Sequence, residues 1–115
     1  MIRPQLILTL VITLLAVSCA RQSQSFYFGT YSDAEDHYRK GEYAKAIKKY
    51  EEYIDNNPAG NLAVIASFYT AKSYRAIGET EKAKDYFRRI AENHPSLVWA
   101  DFSKTQLQEL DQPVS

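Results

Sequence analysis

Two stretches of the sequence decide the fold: GEYAKAIKKYEEYIDNNP (41–58) and GETEKAKDYFRRIAENHP (78–95). They align without a gap, and matched residues such as Ala46 and Ala83 are always 37 positions apart. Each stretch begins with Gly, which adopts the left-handed backbone that ends a preceding helix. Each ends with Pro, which stops a helix because it lacks an N–H group and clashes with the preceding turn. The pattern therefore predicts the same helical unit twice.

Apolar residues in both stretches recur at the spacing of one helix face. They are Tyr43, Ala46, Ile47, Tyr50, Tyr53 and Ile54 in the first stretch, and Ala83, Phe87, Ile90 and Ala91 in the second. A small Ala lets a neighbouring helix come close, and an aromatic residue four positions later fills the space between the two helices. We therefore expect core packing for Tyr43, Tyr50, Tyr53, Tyr74 and Phe87.

Start and stop signals outside these stretches complete a map of five helices. Ser32 and Glu35 have the spacing of a capping box, which predicts that the first helix begins at about Asp33. The remaining helices are predicted at about 42–56, 61–77, 79–93 and 97–111. The fifth helix repeats the first half of the unit without its second half, as expected of a helix that caps the end of a repeat array.

The two units resemble the tetratricopeptide repeat, a helix–turn–helix unit of about 34 residues. Repeat one, about 27–60, carries the resemblance at Ala34, Gly41, Tyr43, Ala46, Tyr50 and Pro58; repeat two, about 64–97, carries it at Ala71, Tyr74, Gly78, Ala83, Phe87 and Pro95. The resemblance implies an all-α fold, a helix–turn–helix repeat solenoid of two such repeats plus a C-terminal capping helix. The longer period is similar to that of envelope-assembly lipoproteins and of the periplasmic Tol–Pal coordinator.

The resemblance also implies a binding surface, because tetratricopeptide repeats generally bind partners on the concave side formed by the first helix of each unit. The corresponding positions predict a partner-binding groove at Tyr31, Glu35, Tyr38, Arg39, Ile65, Phe68, Lys72, Arg75 and Phe102. Aromatic residues and Arg are the usual anchors of protein interfaces. The alternative is that the fifth helix folds over this groove and closes it.

The amino-terminal segment predicts the location of the protein. Arg3 is followed by an apolar run over 6–17, which is shorter than the roughly 20 residues of a membrane-spanning helix and typical of a secretory signal peptide. Ala16-Val17-Ser18-Cys19 resembles a bacterial lipobox, which implies cleavage before Cys19 and lipid attachment to its thiol. An ordinary signal peptide with a chance Cys is the alternative.

These features predict four segments: a lipoprotein signal peptide (1–18), the lipidated Cys with a short tether (19–30), the repeat domain (31–111) and a tail (112–115). Ala20 stands where Gram-negative lipoproteins retained in the inner membrane carry Asp. The sequence therefore predicts the periplasmic face of the outer membrane, or the outer surface of the cell membrane if the organism lacks an outer membrane.

Composition argues against several classes of function. Lys plus Arg and Asp plus Glu both number 14, which gives no basic excess for nucleic acid. One Cys excludes an intramolecular disulfide and a cysteine-cluster metal site. His37 and His94 lack partners at catalytic or metal-ligand spacing, although Asp33 could pair with His37 one helix turn away. We expect no enzyme, no metal and no cofactor.

The predicted function is therefore a lipid-anchored scaffold for protein–protein interaction in the bacterial cell envelope. Its predicted partners are the membrane, through Cys19, and another envelope protein, with a homo-oligomer also possible because two repeats are few for a stable stack. Two alternatives remain open: a lipoprotein that binds a cell-wall fragment or glycan, and a structural lipoprotein that works by self-association.

Overall fold

The computed structural model describes residues 29–113, which form five α-helices and no strand. The helices are α1 (Thr30–Arg39), α2 (Tyr43–Asn56), α3 (Asn61–Ala76), α4 (Thr80–Asn93) and α5 (Val98–Asp111). The predicted bounds of α2 to α5 are confirmed to within one residue. The predicted signal peptide, the lipidation site at Cys19 and the tether up to residue 28 lie outside the described residues, as do 114–115 of the tail.

The prediction for the start of the first helix was wrong. Helix α1 begins at Thr30, three residues before Asp33, and Gly29 precedes it with a φ of 56°. Ser32 consequently lies inside the helix and not at its N-cap, so the capping box does not operate. The positive φ of Gly29 turns the chain into the helix without a capping side chain.

Consecutive helices pack against each other along the chain, from α1 on α2 to α4 on α5, and α3 also contacts α5. This arrangement is a tetratricopeptide-like helical solenoid, which confirms the predicted fold class. None of the five helices within 29–113 has an apolar stretch long enough to cross a bilayer.

The turns inside the two units have the same geometry. Gly41 and Gly78 have φ values of 76° and 83°, in the left-handed region that other residues rarely adopt. The amide after each Gly donates to a carbonyl five residues earlier: Glu42 to His37 at 2.8 Å and Glu79 to Tyr74 at 2.9 Å. The repeat seen in the sequence is therefore a repeat of backbone hydrogen bonds, and the same turn sets the angle of both helix pairs.

Small and large side chains alternate at the contacts between helices. Ala46 and Ala83 have no exposed surface, and Tyr50 and Phe87 are 1% and 0% exposed. Full burial of a side chain of this size contributes about 1.5–3 kcal/mol. Tyr43, which the sequence analysis assigned to the core, is half-buried and contributes to a surface groove instead.

The core consists of two apolar clusters, and α3 contributes to both. The first contains Tyr31, Ala34, Ala46, Tyr50 and Ala66, and the second contains Val64, Phe68, Ala71, Ala83, Phe87 and Ile90. Helix α5 covers the second cluster with Trp99, Leu107 and Leu110. It therefore acts as the capping helix that the sequence predicted.

Hydroxyl groups within this core differ in their hydrogen bonding. On α3, Thr70 donates to the carbonyl of Ala66 at 2.8 Å and Ser73 donates to that of Tyr69 at 2.7 Å. Ser103 of α5 is equally buried, but its Oγ finds no partner within 29–113. A buried polar group without a partner costs about 1–3 kcal/mol of stability.

We expect Ser103→Ala to leave the stability unchanged or to raise the free energy of unfolding by about 1 kcal/mol, because it removes the unpaired hydroxyl. Thermal or urea unfolding followed by circular dichroism measures the change. Ser73→Ala is the matched control, because that hydroxyl is hydrogen-bonded and its removal brings no such gain. A clear loss of stability in Ser103→Ala would show that the Ser103 hydroxyl is not an unpaired buried group.

Candidate functional site: an aromatic row beside a cationic groove

Four aromatic side chains form a continuous row across the first helices of the units. Tyr38 of α1 contacts Tyr69 of α3, with ring centroids 5.0 Å apart. Tyr69 contacts Trp99 of α5 at 6.2 Å, and Trp99 contacts Phe102 at 5.6 Å. All three contacts are edge-to-face, which is one of the geometries that aromatic pairs prefer. We call Tyr38, Tyr69, Trp99 and Phe102 the aromatic row.

The aromatic row is supported from below and open above. Tyr69 lies over the fully buried Tyr50, and Phe68 packs beneath Trp99 with ring centroids 5.1 Å apart. Phe102 remains 47% exposed, and the other three members are half-buried. The rings therefore present a surface whose positions are fixed by the core, so ordering them costs little entropy when a partner binds.

A groove of about 490 Å³ lies beside the Tyr38 end of the row. It is bounded by α1, α2, α3 and α5, and its lining residues are Tyr38, Tyr43, Lys72, Arg75, Ala76, Gln106 and Glu109. We call it the cationic groove, because two cationic side chains and one carboxylate line it.

The cations of the groove differ in their partners. Arg75 Nη1 donates to Glu109 Oε2 at 2.7 Å and to Gln106 Oε1 at 2.5 Å, which connects α3 to α5. Lys72 is half-buried and forms no ion pair with any residue of 29–113. One positive charge in the groove is thus already neutralised, and the other is available.

A smaller cavity of about 230 Å³ opens between α1 and α3, lined by Glu35, Tyr38, Arg39, Tyr50 and Tyr69. Arg39 is held by an ion pair with Asp36 one turn earlier on α1. The structure therefore brings the predicted residues Glu35, Tyr38 and Arg39 together next to the aromatic row.

Three of the nine predicted groove residues take other positions. Tyr31 is 7% exposed and packs on Tyr50 and Tyr53, with ring centroids 5.8 and 5.4 Å away. Phe68 is 6% exposed in the core of repeat two, and Ile65 is half-buried against the core of repeat one. Tyr31 and Phe68 therefore support the surface from within, and a partner role for the predicted set stays a prediction.

Tyr69 and Trp99 belong to the aromatic row and were missed by the sequence analysis. Helix α3 is packed by α2, α4 and α5 and is apolar on most of its circumference, so its periodicity does not single out one exposed face. The available signal was the adjacent pair Phe68–Tyr69: where a buried ring is followed by an amphipathic one, the hydroxyl-bearing ring is the better candidate for the surface.

Glu51 of α2 is half-buried and contacts two other helices. Its carboxylate accepts hydrogen bonds from the hydroxyls of Tyr74 at 2.8 Å and Tyr86 at 3.0 Å, which joins α2 to α3 and α4. Burial, reinforced by this hydrogen bond, raises the pKa of Tyr74 to about 12. Burial and the charge of Glu51 also raise the pKa of Tyr86 above its ordinary value.

We expect Glu51→Gln to lower the pKa of Tyr74 and Tyr86, because the amide still accepts a hydrogen bond but carries no charge. A raised folded-state pKa contributes stability below the unfolded value of 10.0 that is lost as the pH rises above it. In spectrophotometric titration of tyrosinate, the last part of the curve, in which Tyr74 and Tyr86 ionise, should therefore shift to lower pH in the variant. The exposed neighbour Glu52→Gln is the control, and identical curves for Glu51→Gln and the wild type would refute the assignment.

The two histidines have ordinary structural positions. His37 Nδ1 lies 3.3 Å from Glu42 Oε1 across the turn between α1 and α2. His94 is exposed at the end of α4, where its amide donates to the carbonyl of Ile90. Across residues 29–113, no three His, Cys, Asp or Glu side chains lie close enough together to hold a metal ion.

Comparison with known proteins agrees with this architecture. Residues 66–96 match the family model described as the tetratricopeptide repeat. The matched segment spans most of α3 and all of α4, which is the second predicted repeat. No curated protein and no solved structure matches the chain significantly. Repeats of this family are typically found in scaffolds without enzymatic activity, and the match therefore indicates a protein–protein interaction scaffold built on tetratricopeptide-like helical repeats.

Proposed function

We propose that the protein is a lipid-anchored scaffold of the bacterial cell envelope that binds a protein partner along its concave surface. The aromatic row is the observation that carries this proposal. Three first helices contribute to one surface of half-exposed rings, and aromatic residues are enriched among the anchors of protein interfaces. The repeat match supports a protein as the partner.

The anchor in this proposal is lipid on Cys19. It is supported by the apolar run over 6–17, by the sequence Ala16-Val17-Ser18 before the Cys and by Ala20 after it. The ten residues 19–28 span at most about 35 Å when fully extended. An anchor this short would hold the domain near the membrane surface, which raises its effective concentration toward partners in the same membrane.

We expect the full chain expressed in a Gram-negative host to incorporate an alkyne-tagged fatty acid and to sediment with outer membranes, and Cys19→Ser to do neither. Labelling in cells followed by gel fluorescence and membrane fractionation measures both. The matched control is the double variant Cys19→Ser with Ser25→Cys, which has a thiol outside the lipobox. This variant should stay unlabelled. An unlabelled, secreted wild type would support an ordinary signal peptide and contradict the anchor.

We expect a photo-crosslinking amino acid at Phe102 to give an adduct with one defined envelope protein in living cells. Phe102 is the most exposed member of the aromatic row, so a probe there perturbs the core least. Lys104 is the matched control, because it is exposed on the same helix about 200° away from Phe102. Mass spectrometry identifies the adduct.

The same experiment separates the alternatives. An adduct with a second copy of the chain would favour self-association, and equal labelling at Phe102 and Lys104 would contradict a role for the concave surface. Binding of muropeptides to the purified protein, lost on Trp99→Ala, would favour a glycan-binding lipoprotein in place of a protein scaffold.

A further inference from the structure

The two cationic side chains of the cationic groove belong to the same helix, α3. Lys72 and Arg75 are three residues apart on α3 and therefore lie on the same side of the helix. Both line the same groove, next to the rings of Tyr38 and Tyr43, whose centroids are 5.5 Å apart. A volume of about 490 Å³ is within the range of pockets that hold small ligands. The groove can therefore accept a side chain with a polar head and an apolar body.

The charges that face this groove are unbalanced. Two cations line it with one carboxylate, that of Glu109, which reaches Arg75 from α5. Lys72 has no carboxylate partner among residues 29–113, and the remaining lining residues are neutral. A second carboxylate would complete the pairing, so the complementary occupant is acidic.

The contact between Arg75 and Glu109 is one that a competitor could replace. The Arg75 and Glu109 side chains are 35% and 48% exposed, and ion pairs this open to water contribute little to stability. A carboxylate brought by a partner could take the place of Glu109 on Arg75 and at the same time pair with Lys72. Glu109 would then return to solvent.

Helix α5 does not depend on Glu109 for its position. Lys84 pairs with Asp111 at 2.8 Å and ties the end of α5 to α4. Trp99, Leu107 and Leu110 pack on the core of repeat two. Removal of the Glu109 charge should therefore free Arg75 without undocking the helix, which makes the contact testable by itself.

Building on the proposed function, we propose that the partner segment is acidic, that its carboxylate binds Lys72 and Arg75 in the cationic groove, and that Glu109 of α5 occupies this place in the unbound protein. Helix α5 is thereby both the cap of the solenoid and a competitor for its binding site. Apolar residues of the same segment would lie along the aromatic row, which begins at Tyr38 on the edge of the groove.

Fluorescence anisotropy of the full chain in a non-ionic detergent tests this. The probe is a fluorescein-labelled octapeptide of alternating Asp and Leu, and the comparison peptide has Asn in place of Asp. We expect the Asp peptide to bind and the Asn peptide not to bind. Glu109→Gln should tighten binding by about two- to fivefold, the range that loss of an exposed ion pair allows. Lys72→Gln and Arg75→Gln should each weaken it, and added salt should weaken it further.

Matched variants separate the groove from the overall charge. Glu92→Gln removes an exposed carboxylate from α4 and Lys48→Gln removes an exposed cation from α2, so neither should change the Kd. Circular dichroism of every variant verifies the fold. Equal effects of Glu109→Gln and Glu92→Gln would overturn the competition by α5.

Failure of this inference and failure of the proposed function give different results. Equal binding of the Asp and Asn peptides, or no binding of the Asp peptide, would overturn an acidic partner. If the Phe102 crosslink to a defined protein is nevertheless obtained, the scaffold function stands without this groove. If that crosslink is absent as well, the proposed function fails together with the inference.

Discussion

The close approach of helices at Ala46 and Ala83 is the constraint on which the rest of the structure depends. Both residues are fully buried, and the space beside them is filled by Tyr50 and Phe87 four residues later. A larger side chain at either Ala would separate the helices of the unit and disturb a closely packed core. The same pair recurs after 37 residues, so both units have the same combination of a small and a large side chain at their helix contact.

The stacking of the two units determines which residues form the surface of the aromatic row. Helix α3 lies in the middle, where it contacts α2, α4 and α5, and its Phe68 and Tyr69 divide between the core and the surface. Tyr38 from α1 and Trp99 from α5 reach Tyr69 from either side. A surface to which three helices contribute is built only when all of them are packed, so its rings are held by the same core that stabilises the fold.

Polar contacts between specific side chains join the helices in addition to this apolar packing. Glu51 joins Tyr74 and Tyr86 across the two units, and Arg75 joins Glu109 across α3 and α5. The first contact is partly buried beneath its two phenol partners, whereas the second is more open to water, where ion pairs contribute little to stability. The carboxylate of Glu51 therefore contributes to how the helices of the solenoid are joined, whereas that of Glu109 bears on what occupies the cationic groove.

The amino-acid sequence by itself determined the local features: the helix bounds from α2 to α5, the glycine turns at 41 and 78, and the buried positions Ala46, Tyr50, Ala83 and Phe87. Each depends on short-range rules, because backbone φ values and one-face periodicity are properties of neighbouring residues. The lipidation site at Cys19 is also inferred from local sequence and remains a prediction.

Tertiary structure alone decided the contacts between distant residues. Glu51 contacts Tyr74, which is 23 residues away in the sequence, and Arg75 contacts Glu109, which is 34 residues away. No local sequence pattern predicts either pair. The exposure of Tyr69 and the burial of Phe68 were likewise determined by neighbouring helices, since an apolar residue on a central helix can face any of several partners. Tyr31 lies on the terminal helix α1 and is buried against Tyr50 and Tyr53 of α2. The fold could be predicted because its signals repeat along the chain. The candidate site could be predicted only in part: Tyr38, Lys72, Arg75 and Phe102 were among the predicted residues, whereas Tyr69 and Trp99 were not, because contacts between distant helices place them at the surface.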